Sequence, residues 1–140
     1  MQLQKTTTQQ TPDTVNAVCV DVVDLGIVDT PWGRKPQVRM VFETDQMNDY
    51  GEPRNLIRTF NMHTHEKSAL SINVATWNGR NLRQEDEDGQ LDLSTLIGQQ
   101  AHLKLEQTIT KNGNAFDKIV EILPAGEVHV SPSGKYRRAD

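Results

Sequence analysis

Along most of this chain the apolar residues recur at every second position, and along one stretch at every third or fourth. The place of that switch constrains the fold more than any other feature, because period two buries one face of a strand and period 3.6 one stripe of a helix. From 15 to 28 (VNAVCVDVVDLGIV) the run alternates, which would put Val18, Val20 and Val22 on one face and Cys19, Asp21 and Val23 on the other. Gly26 interrupts it, as a glycine does at a bulge or bend. Residues 29–36 (DTPWGRKP), with two prolines and a glycine, read as a hairpin loop. A second strand at 37–44 points Val38, Met40 and Phe42 one way and Gln37, Arg39 and Val41 the other. After the polar turn region 45–53, a third strand at 54–62 alternates more weakly.

The period then changes. Between 65 and 78, Leu70, Val74 and Trp77 make one apolar helical stripe, with Thr64 as N-cap and Gly79 as stop. A charged excursion at 80–90 precedes a short helical turn at 91–97, closed by Gly98. Alternation resumes at 100–110, with Ala101, Leu103 and Leu105 inward, and again at 115–123. Between them Lys111-Asn112-Gly113-Asn114 contains the Asn-Gly pair of a tight hairpin. Three strands, a helix and two strands, with a long bent first strand, predict an all-β five-stranded OB-fold barrel with its helix between strands three and four. A β-sandwich needs more strands than the chain offers. The domain would cover 15–125, between a flexible N-terminal arm at 1–14 and a flexible basic tail at 126–140 that carries Lys135, Arg137 and Arg138.

Length and composition narrow the function. A chain of 140 residues makes one domain. No apolar run approaches the roughly 18 residues of a membrane span, and the polar start MQLQKTTTQQTPDT has no signal-peptide core. The one cysteine, Cys19, reads as a buried small hydrophobe, which suits a reducing cytoplasm. A net charge of −4 argues against a polybasic binder but not against one with its cations on one face. Acid is concentrated in Glu85, Asp86, Glu87 and Asp88, and base in Arg34, Lys35 and Arg39.

Catalytic and metal constellations are absent from the pattern. His63, His65 and Glu66 would need further ligands from Cys19 or His102, and the 85–88 acid block lacks the spacing of a calcium loop. No phosphate loop, nucleophile elbow or Cys/His nucleophile pair occurs. The expectation is a protein with no enzymatic activity, cofactor or metal.

Binding features are better represented. Single-strand binders combine a basic track for phosphates with aromatic rings on which bases stack. Trp32, Arg34 and Lys35 fall within four residues, followed by Arg39; Arg58 and Phe60 lie on the third strand, and Phe116 and Lys118 on the last. Lys104 must point outward if Leu103 and Leu105 point in, and Lys111 sits at the second hairpin. Trp32 either offers a face to bases or packs on the barrel end, and the same choice, stacking or core, stands for Phe60 and Phe116. Trp77 belongs to the helical stripe and thus to the core.

The stretches AVCVDVVDLGIVDTPWG, KPQVRMVF, HEKSAL, WNGR, LDLSTLIGQ and IVEILP, spread over 16–124, resemble the small OB-fold single-stranded-DNA-binding proteins of bacteriophages and prophages. The resemblance implies sequence-tolerant binding of single-stranded DNA in replication or recombination, with homo-oligomers or replication proteins as partners. Trp32, Arg34, Lys35, Arg39 and Arg58 fall where such proteins would meet DNA. The ending KYRRAD departs from the acidic partner-recruiting tail of many single-strand binders and could add phosphate contacts instead. The alternative is a protein-interaction module, such as a virion or replisome adaptor, using the same barrel without nucleic acid.

Overall fold

The computed structural model describes residues 14–136 and 138. The expected arm at 1–14 therefore lies outside the described residues except for Thr14. The elements are β1 (Thr14–Thr30), β2 (Gly33–Met47), β3 (Pro53–Asn61), α1 (Ala69–Asn78), α2 (Leu82–Glu87), a 3-10 turn (Leu93–Leu96), β4 (Gln100–Ile109) and β5 (Ala115–Pro124). The strands form one antiparallel sheet in the order β3-β2-β1-β4-β5. Among the described residues no ladder joins the two edges, so the sheet is not closed as a barrel. Its edges are nonetheless tied by side chains: Arg58 Nη1 donates to the Ile119 carbonyl at 2.6 Å, and Arg54 Nη2 meets Asp117 Oδ2 at 2.9 Å.

One face of the sheet is the core. Val38, Met40 and Phe42 of β2 point into it as their alternation predicts, and so do Ala101, Leu103 and Leu105 of β4. Phe42 meets Trp77 edge-to-face at 5.6 Å, and Trp77 donates its indole N–H to the Gln100 carbonyl at 2.7 Å. That bond removes the cost of burying a polar N–H, leaving about 2–3 kcal/mol from burying each large ring.

β1 departs from simple alternation. Cys19 pairs with Phe42 and Asp21 with Val41, so Val20 is an extra residue in the ladder. This bulge reverses the phase of the residues from Asp21 to Asp24. Cys19 faces the core and Val22 packs against it, whereas Val18 and Val20 share the opposite face with Val41. The expected grouping of Val18, Val20 and Val22 is corrected accordingly. A second bulge follows Asp24, where Gly26 takes φ +68° and donates its N–H to the Asp24 carboxylate at 2.8 Å.

α1 buries Leu70, Val74 and Trp77, as the stripe implies, and ends at Gly79, whose φ of +69° lets its N–H reach the Ala75 carbonyl. Its start is later than expected. Residues 65–67 form a turn, and Ser68 is the N-cap, accepting from the Ser71 N–H. Thr64 donates instead to Asp86. The charged excursion contains the short α2, held inward by buried Leu82.

Residues 125–136, after β5, have no regular structure, yet they are not loose. The Gln100 side chain bonds both the N–H and the carbonyl of Val130, at 2.7 and 2.8 Å, as a neighbouring strand would. Val130 and Tyr136 then pack on Val18, Val20 and Val41. Polar composition suggested a free tail, because its few scattered apolar side chains carry no period. No helix among the described residues is long and apolar enough to cross a membrane.

Candidate nucleic-acid interface

β4 accompanies β1 only from Thr14 to Val18, and β3 accompanies β2 only as far as Gln37. Beyond those points β1 and β2 continue as a two-stranded ribbon. The reversal takes two residues, Pro31 and Trp32, with Thr30 paired to Gly33. The expected loop at 29–36 is thus almost entirely strand. Thr30 makes this possible: its hydroxyl accepts from the Trp32 N–H at 3.2 Å and donates to the Gly33 carbonyl at 2.6 Å. Pro36 is accommodated because its carbonyl, not an N–H, is used, accepting from Met62.

Trp32 is left 84% exposed at the tip and does not pack on the end of the sheet. Arg34 Nε lies 3.2 Å from Asp29 Oδ1, with both side chains largely in solvent. Such a pair is worth little and exchanges readily for another anion. Lys35 follows, half-buried, opposite Val28. Arg39 lies lower on β2, between Val23 and Thr59, on the face away from the core. Its Nε is buried without a hydrogen-bond partner among the described residues.

Two expected site residues of β3 have other duties. Phe60 is 3% exposed and part of the core, so it presents no face to a base. Arg58 shares its side of β3 with Leu56 and Phe60; its guanidinium stands 4.7 Å from the Phe60 ring centroid and binds the Ile119 carbonyl. Burial lowers its pKa from the ordinary arginine value. The two have related causes: Phe60 lies on the core face of β3, and Arg58 beside it reaches across the open seam to β5. Arg54 does the same toward Asp117 and was not anticipated, since an arginine at a strand start resembles any surface cation.

On the other arm of the sheet Lys104 points outward and pairs with Glu121 at 3.7 Å. Phe116 is 46% exposed, across from Thr108, which settles its alternatives in favour of the surface. Lys118, opposite Glu106, is exposed as well. Lys111 is exposed in the β4–β5 turn, where Thr110 and Asn114 close the loop. The exposed Ile57 on β3 and Tyr50 in the β2–β3 turn were missed. Tyr50 is legible as the one aromatic in a polar turn; Ile57 was hidden by the weak alternation of its strand.

The pairing of Thr14 with Lys104 and Val18 with Gln100 runs β4 back down beside β1. The β1–β2 and β4–β5 turns therefore lie at opposite ends of the sheet. Between them stretches the outer face of β2 and β3 with Arg39 and Ile57. The geometry brings together Trp32, Arg34 and Lys35 at one end and sets Lys111, Phe116 and Lys118 on the hairpin at the other, with Phe60 in the core and Arg58 turned to the β3–β5 seam. Burial pushes the Cys19 thiol up to about 12, so it is not a nucleophile at neutral pH. Among the described residues no group of three His, Cys, Asp or Glu is placed to hold a metal ion. No protein-family model matches the chain, and no curated protein matches it.

Proposed function

We propose that this protein binds single-stranded DNA with little sequence preference and performs no chemistry on it. The observation that carries the reading is the ribbon tip, where a tryptophan 84% exposed stands beside Arg34 and Lys35. An exposed indole costs solubility and gains nothing from the core, whereas a base stacked on it gains about 1–3 kcal/mol. Phe116 would serve as a second platform, with Arg34, Lys35, Arg39, Lys104, Lys111 and Lys118 taking phosphates. Arg58 would act only indirectly, by holding β3 to β5. The strand order and the helix between β3 and β4 support an OB-type barrel left open at the β3–β5 seam. A cytoplasmic role in phage or mobile-element replication or recombination, as a homo-oligomer or beside replication proteins, suits this reading.

The test is anisotropy titration of a labelled oligo-dT at low and moderate salt, with duplex competitor. Tight binding that weakens steeply with salt and resists duplex is expected, because bound phosphates release counterions. Binding should quench Trp32 and spare the buried Trp77, so Trp32→Phe should abolish most of the change. Absence of binding at low salt would overturn the reading. The net charge of −4 would then favour the interaction-module alternative, to be sought among protein partners.

A further inference from the structure

Asp21 and Glu43 sit on the outward face of β1 and β2, yet each is only 2% exposed. What covers them is the C-terminal segment. Glu43 accepts the backbone N–H and the hydroxyl of Ser133, both at 2.8 Å. Asp21 accepts the Tyr136 hydroxyl at 2.9 Å, and Arg138 Nε lies 3.9 Å from it. Lys135 continues toward Glu52 at 3.8 Å. Burial and the Asp21 bond raise the Tyr136 pKa, and the charge of Arg39 partly opposes them.

These carboxylates share a face with a cation assigned above to DNA. Arg39, Val41 and Glu43 alternate along β2, and Asp21 pairs with Val41. Asp21 is thus a diagonal neighbour of Arg39, about 7–8 Å away, and Glu43 is about 13 Å along the strand. The first lies within the screening length of about 8–10 Å at ordinary salt and the second beyond it, so Asp21 weighs more than Glu43. Uncovered, the pair would repel a phosphate chain approaching Arg39.

We infer that residues 130–136, with Arg138, form a strap that completes the nucleic-acid face: it caps Asp21 and Glu43 with hydroxyl and N–H donors and adds two cations, Arg138 at Asp21 and Lys135 at Glu52. The inference rests on the single-stranded-DNA reading and deepens it. It assigns the tail a positive part in binding, where a segment lying on a binding face would otherwise be taken for an inhibitor. The strap is built to stay: Gln100 fixes its start, Val130 and Tyr136 bury apolar surface, and both carboxylates hold its middle.

The experiment compares oligo-dT binding by the full chain, by a chain ending at His129, and by that shortened chain carrying Asp21→Asn and Glu43→Gln. Circular dichroism checks that each folds. The shortened chain should bind about tenfold more weakly, with its salt slope reduced by about two. The double substitution should recover about threefold, which general damage to the fold would not permit. In the full chain, Ser133→Ala with Tyr136→Phe removes only the two hydroxyls and should weaken binding about threefold, so the inference stands or falls even if the shortened chain does not fold. Equal or tighter binding by the shortened chain, beside a full chain that binds, would overturn the strap while sparing the function; so would failure of the double substitution to restore affinity. Absence of binding by the full chain would overturn both.

Discussion

The β1–β2 ribbon and the β3–β5 seam are built from the same materials, arginines beside an aromatic ring, and use them oppositely. In the ribbon, Trp32 and Arg34 stand in solvent, held only by the turn and a weak ion pair. At the seam, Arg58 lies over Phe60 and bonds the Ile119 carbonyl, and Arg54 meets Asp117. The ribbon has outrun its neighbouring strands, so no third strand covers the side chains at its tip. At the seam two sheet edges face each other without a ladder, and arginine is long enough to supply the missing bonds. Residue type thus decides little; the presence of a neighbour decides whether a cation is structural or available.

Substitutions can break that contrast. Phe60→Ala should cost the most, about 3–5 kcal/mol of stability, because it empties a core site. A urea midpoint near that of the parent would show that the ring is not in the core. Arg58→Ala should follow at about 2–3 kcal/mol, from a charged hydrogen bond and a cation–π contact. Its effect on oligo-dT affinity should be confined to partial unfolding, so a folded variant with a reduced salt slope would return Arg58 to the phosphate contacts. Trp32→Ala should behave in the reverse way. We expect stability within about 0.5 kcal/mol of the parent and a loss of about 1–3 kcal/mol in single-strand affinity; destabilisation without lost affinity would reverse the roles of the two regions. Smallest are Arg34→Gln and Lys35→Gln, each lowering the salt slope by about one with a few-fold loss of affinity. An unchanged slope would mean that the ribbon's cations do not meet phosphate.

Much of this architecture was legible. Alternation at Val38-Met40-Phe42 and at Ala101-Leu103-Leu105 identified the buried face of two strands, and the spacing of Leu70, Val74 and Trp77 located the helix. The site was legible only in part. Trp32, Arg34 and Lys35 could be picked out because proline and glycine around a tryptophan leave it few local contacts. Phe60 and Arg58 could not be judged, because β3 pairs with β2 on one side and meets β5, some sixty residues away in sequence, on the other.

Chain order and period by themselves determined five strands, one principal helix and the side of most strands that is buried, since those depend on covalent neighbours and the side-chain repeat. Tertiary structure alone decided three things. The bulge at Val20 turned Val22 inward, the open seam recruited Arg54 and Arg58, and the C-terminal segment came to rest on Asp21 and Glu43. Each depends on a partner distant along the chain. A valine suits either face of a strand, and an arginine or carboxylate either water or a counter-group, until packing supplies that partner.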